Sequence, residues 1–247
     1  MNLPHRLDRS VTIQAAPSTV FRFFQDSDRF ARWWGAGSTI DPRPGGRVYI
    51  RYPNGVETVG EVVAIDPPER IVFTYGYASG NPIAPGASLV TITLAPSAGG
   101  TRLDLRHDFD EASVRDQHVQ GWRFQLSVFA NVVAEENFAD AAALVDRWFE
   151  AWADTDAGHR EATFAELASP SVTFRDRYSM LEGLPELLPH VAATQCFMPG
   201  IRMTRAGEAR HCQGMVIAAW SAGTMSGTNV FQFGPDRKIA AVTGFWS

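Results

Sequence analysis

Two polar residues in the second half of the chain stand in line with apolar ones. In SVTFRD, alternate residues Val172, Phe174 and Asp176 share one strand face, and in GTNVFQF the same parity aligns Asn229 with Phe231 and Phe233. An acid and an amide therefore point toward apolar interiors. A carboxyl group taken out of water has its pKa raised, which suits it to general acid or base work near neutral pH. An amide can hydrogen-bond a carbonyl or a developing oxyanion. Asp176 can equally pair with Arg175 or Arg177 or cap a turn, and Asn229 can equally be a structural amide.

The first half offers a second constellation. Leu103, Leu105, His107 and Phe109 share one face, with His107 ending an apolar row at a cavity mouth. Phe73, Tyr75 and Tyr77 form another same-face set. His118 and Gln125 border a helical stripe that holds Trp122 and Phe129. The competing reading makes His107 a strand-end cap and the aromatics core, with Trp33 and Trp34 packing a short helix on the sheet. No Ser-His-Asp or Cys-His order and no phosphate-binding glycine loop occurs, and the His and Cys spacings do not suit a metal.

Composition narrows the class. The 247 residues are 45% hydrophobic and 20% charged, as in a globular protein of one large domain or two ordinary ones. A net charge of −5 and scattered arginines argue against a nucleic-acid surface. No apolar run approaches the roughly 20 residues of a membrane span, so no membrane partner is expected. The N-terminal MNLPHRLDRS lacks a secretory layout. With only two cysteines, Cys196 and Cys212, the expectation is a cytoplasmic protein with buried, unpaired thiols.

The positioning elements follow from periodicity. A strand at SVTIQA precedes two short helices, PSTVFRFFQD and DRFARWWG. Two β-rich runs meet at Asn54-Gly55, a hairpin signal, and RIVFTYGY, ASLVTITLA and TRLDLRHDF follow as strands. Val119, Trp122, Leu126, Phe129 and Val133 then recur at helical spacing, which predicts one long helix over about 112–136. In the second half, FADAAALVDRWFEAWADTD and HREATFAELA read as helices. After them come strand SVTFRD, turn-like RYSMLEG, helix LPELLPHVAATQ, and strands in IRMTRAG, CQGMVIAAWSAG, SGTNVFQFG and KIAAVTGFW. Almost no linker separates the halves, and one continuous helix could join them.

The phrases APSTVFRFF, RWWG, PGGRVYI, GEVVAIDPPERIVFTY and GTRLDLRHDF resemble the START-like (SRPBCC) superfamily, in its branch related to the heat-shock-protein-90 ATPase activator. That resemblance implies a helix-grip domain over 1–137, a curved antiparallel sheet with a long C-terminal helix. The phrases LVDRWFEAW, SPSVTFRDRYSMLEGLPELLPHV and GTNVFQFGPDRKIAAVTGFW resemble the nuclear transport factor 2-like superfamily, which includes SnoaL-like polyketide cyclases and ketosteroid isomerases. It implies an α+β cone over 138–247. On this resemblance Asp176 falls at the isomerases' base and Asn229 at their oxyanion-hole acid, while Trp148 replaces the helix-one tyrosine; apart from the resemblance, Tyr178 is an alternative candidate for the carbonyl partner. Members often dimerise through the sheet face, so a homodimer is one expectation.

Three function classes follow. The first is a protein that binds hydrophobic small molecules in a pocket of each domain, for aromatic, polyketide- or lipid-like ligands. Trp148, Trp220 and Phe231 would form one set of walls, and Phe73, Tyr75, Tyr77, His107, Trp122 and Gln125 the other. The second is a cyclase, isomerase or dehydratase using Asp176 with Asn229 or Tyr178; enolisation needs a base and a donor, so no cofactor is expected. The third is a cochaperone-like interaction module, disfavoured because the family's dedicated chaperone-binding segment has no counterpart here.

Overall fold

The computed structural model describes residues 2–247 and is mixed α+β. The chain divides into two compact units, Met1–Ala134 and Glu135–Ser247. In order, the first unit holds β1 (His5–Ile13), α1 (Pro17–Phe21), a 3-10 turn at Arg22–Phe24, α2 (Ser27–Trp34), β2 (Thr39–Ile40), β3 (Arg47–Arg51) and β4 (Glu57–Asp66). It continues with β5 (Arg70–Tyr75), β6 (Ser88–Ser97), β7 (Gly100–Phe109) and α3 (Ala112–Asn137), and the division falls inside α3.

Its seven strands form one antiparallel sheet in the order β1-β7-β6-β5-β4-β3-β2. Gly55, at φ +84°, takes the left-handed position that closes the β3–β4 hairpin. Asp26 caps α2 by accepting from the Arg29 N–H at 2.8 Å. Trp122, Leu126, Phe129 and Val133 form the buried stripe of α3, as the helical spacing predicts. Phe129 meets Trp33 at 4.6 Å and Phe23 at 5.8 Å between ring centroids, so the short helices are packed under α3 by aromatic contacts.

The second unit carries α4 (Ala141–Ala153), α5 (Ala157–Leu167), β8 (Ala168–Arg175), β9 (Met180–Glu182) and α6 (Leu184–Phe197). Strands β10 (Thr204–Arg205), β11 (Arg210–Cys212), β12 (Met215–Ala222), β13 (Met225–Phe233) and β14 (Ile239–Trp246) complete it. They form a mixed sheet ordered β10-β12-β13-β14-β8-β9, with β11 also on β12 and with β14 parallel to β8. Gly227, Asn229, Phe231 and Phe233 are the buried face of β13, as strand parity predicts.

Four local expectations change. The turn-like RYSMLEG contains β9, because the Asp176 N–H donates to the Ser179 carbonyl at 2.9 Å and folds the chain back on β8. The strand expected in IRMTRAG shrinks to Thr204–Arg205. Helices α3 and α4 are separate, with the chain turning at 138–140. Cys196 and Cys212 are unpaired but exposed, because they lie on outward positions of α6 and of the short strand β11. No helix among the described residues is long and apolar enough to cross a membrane.

Candidate functional site

Each unit encloses a cavity of its own. The first, about 470 Å³, lies between α2, α3 and the ends of the strands, and is walled by Trp33, Trp34, Tyr52, Tyr75, Tyr77 and Trp122. Parity along β5 turns Phe73 and Tyr75 inward, but Phe73 sits one pleat deeper, wholly buried, and belongs to the core. Tyr75, Tyr77, Trp122 and Gln125 do line the space. Gln125 is held by a side-chain amide hydrogen bond to the Trp33 carbonyl.

His107 stands behind this wall rather than at a mouth, with no exposed surface, because its row on β7 runs under α3. The Trp122 indole N–H is a donor only, so it donates to His107 Nδ1 at 2.9 Å. His107 Nε2 therefore carries the ring proton and donates to Ser88 Oγ at 2.8 Å, and Ser88 donates to the Tyr75 carbonyl at 2.8 Å. Burial pushes the imidazole well below its usual range, and His118 nearby adds to this. The residue is a neutral clamp between two walls of the cavity.

A second imidazole reaches the cavity directly. His118 Nδ1 donates to the Val114 carbonyl at 2.8 Å, so in the neutral ring Nε2 accepts from the Tyr77 hydroxyl at 3.3 Å. Burial lowers the His118 pKa. The Tyr52 and Tyr75 hydroxyls lie 3.0 Å apart, and burial raises Tyr52 to about 12 and Tyr75 well above its usual value. The inner end of the cavity is thus polar but uncharged at neutral pH.

The second cavity, about 420 Å³, opens over β8, β13 and β14 and is bounded by α6. Asp176 and Asn229 both line it. Asp176 makes no ion pair with Arg175 or Arg177; its Oδ1 accepts from the Tyr178 N–H at 2.8 Å and its Oδ2 from the Trp246 indole at 3.2 Å. Asn229 is 4% exposed and its Oδ1 accepts from the Trp220 indole at 2.9 Å. Gly244 is the register partner of Asn229 and lies beside Asp176. A Cβ on Gly244 would stand 3.1 Å from Asn229 Oδ1 and 3.2 Å from Asp176 Cβ, tighter than ordinary contact. The missing side chain keeps the floor between acid and amide open.

Trp220 forms a wall, and Tyr178 lies at the rim, 71% exposed, with its ring edge-on to Trp246 at 5.3 Å. Trp148 and Phe231 do not line the space. Both are fully buried, Trp148 against Phe164 at 5.0 Å and Phe231 at 6.1 Å, so they are core. One helical turn on, Trp152 takes the wall position and packs on Phe174 at 5.1 Å. His190 also lines the cavity and bonds Ser179 Oγ at 3.1 Å, whereas His211 accepts from the Gly214 N–H at 2.9 Å and lies elsewhere. Among the described residues, no group of three or more His, Cys, Asp or Glu side chains is arranged to hold a metal ion.

Residues 14–134 match the family model described as Activator of Hsp90 ATPase homolog 1-like protein, so the first unit carries a START-like domain of that family. No curated protein matches the chain. Among solved structures, the chain is similar to a putative isomerase of the SnoaL-like family from Agrobacterium tumefaciens, at 19% identity and TM-score 0.42, over 43% of this chain and 96% of that one. It is also similar to an AHSA1 protein from Silicibacter pomeroyi, at 24% identity and TM-score 0.42, over 51% of this chain and 95% of that one. A third similar structure is CalU16 from Micromonospora echinospora, at 23% identity and TM-score 0.42, over 53% of this chain and 76% of that one.

Proposed function

From a START-like domain in the first unit, we propose that the protein binds small hydrophobic molecules, with one pocket in each unit for aromatic, polyketide- or lipid-like ligands. On this reading the second unit is a nuclear transport factor 2-like domain. The observation that carries the proposal is the pair of cavities, about 470 and 420 Å³, each walled by aromatic side chains with a few converging polar groups. Such a combination suits ligands that bury most of their surface and are oriented by a few hydrogen bonds. Native mass spectrometry of the purified chain with a panel of polycyclic ketones tests it. Retained ligand is expected, and no retention by any panel member contradicts the proposal.

A second reading is favoured by the open floor at Gly244. There the cavity is a cofactor-independent cyclase, isomerase or dehydratase site, with Asp176 as the proton-transfer group and the Asn229 amide on the substrate oxygen. Asp176→Asn is then expected to abolish turnover while the fold survives.

A further inference from the structure

We propose that the second cavity recognises a ligand group that presents a hydrogen-bond acceptor and a donor side by side, as a lactam does. This rests on the ligand-binding reading above. The acceptor takes the Asn229 amide protons, the donor takes the Asp176 carboxylate, and the group lies over Gly244.

The direction of each bond follows from donor chemistry. An indole nitrogen can only donate. Trp220 therefore fixes the amide oxygen of Asn229 toward itself, at 2.9 Å, and leaves the Nδ2 protons without a protein acceptor in a residue that lines the cavity. A ligand acceptor in the cavity can therefore take those protons. Trp246 and the Tyr178 N–H, at 3.2 and 2.8 Å, hold the two carboxylate oxygens of Asp176 by the same logic. Each of those oxygens keeps a further lone pair for a ligand donor.

Gly244 makes the two ends one subsite. Asn229 Oδ1 and Asp176 Cβ lie within 3.2 Å of the single point that a Cβ on Gly244 would fill. Any side chain there would occupy the space between them. Trp220 and Trp246 are positioning residues, 5.2 Å apart between ring centroids, and also supply apolar wall. A ligand offering only acceptors leaves the carboxylate facing a group that cannot donate, and a purely apolar ligand leaves both ends unpaired.

Calorimetric titration of the full chain with 2-quinolone, N-methyl-2-quinolone and naphthalene tests this. The first probe has adjacent N–H and C=O groups, the second lacks the donor, and the third lacks both. The expected result is 2-quinolone binding about tenfold tighter than its N-methyl form. Gly244→Ala is expected to remove that preference. Trp220→Phe, which loses the indole N–H, is expected to reduce it. If Gly244→Ala does not fold, the Trp220→Phe ratio decides alone. Naphthalene binding with equal affinity for the two quinolones overturns this inference and leaves the pocket reading standing. An unchanged preference in the folded variants also overturns it. Binding of none of the three probes overturns this inference, and the polycyclic ketone panel then decides the pocket reading separately.

Discussion

The indole N–H of Trp122 points at Nδ1 of His107, 2.9 Å away, and that one bond assigns the protons of a buried network. Protonating Nδ1 would set two donors against each other, so the ring must stay neutral for the network to stand. The tie also joins α3 to β7, fixing one aromatic wall of the first cavity from behind.

A pH dependence of stability follows. His107 is held well below its ordinary pKa by burial, so the unfolded chain binds a proton that the folded chain refuses. The folded state is fully favoured above the unfolded value of about 6.5 and loses stability as pH falls beneath it, by up to about 1.4 kcal/mol per pH unit for the group. Urea denaturation at pH 7.5 and 5.5 is expected to show this loss. His107→Asn should be less stable at pH 7.5 and show a flatter dependence. His118 and His211, also lowered by burial, keep part of the slope.

Tyr52 gives the opposite edge. Its hydroxyl, raised to about 12 by burial, ionises later in the folded chain than in the unfolded one. That contribution is complete below the unfolded value of about 10 and is lost as pH rises toward 12. Ultraviolet titration of the folded protein should show late-ionising tyrosines among the five, Tyr52 and Tyr75, and a smaller late step in Tyr52→Phe. An unchanged titration curve in the variant would contradict the assignment.

Trp148 and Trp152 should separate stability from binding. Trp148 is fully buried and does not line the second cavity, so Trp148→Ala is expected to cost about 3–5 kcal/mol in denaturation experiments. Trp152 faces the second cavity, so Trp152→Phe should weaken ligand retention there with a smaller loss of stability. The reverse ranking would place the cavity wall on the wrong turn of α4.

Strand and helix parity made much of this legible in the sequence, and its limit is depth. Parity turns both Phe73 and Tyr75 inward, yet only Tyr75 reaches the open end of the sheet. It likewise aligns Asn229 with Phe231, of which one lines space and the other fills core. Trp148 and Trp152 share a helical stripe but meet different neighbours. Tyr52 was hidden because it sits in the β3–β4 connection, where no periodicity assigns a face. Trp246 had a signal, since it shares the face of Gly244 in the final GFW, but its bond to Asp176 joins strands far apart in sequence.

The central claim is that both cavities hold ligands, and native mass spectrometry of the whole chain against polycyclic ketones tests it most directly. Complexes carrying up to two ligands are expected, falling to one when a single cavity is blocked, as by Gly244→Trp in the second unit. Spectra in which no ketone is retained, or in which retention is untouched by blocking either cavity, would contradict it.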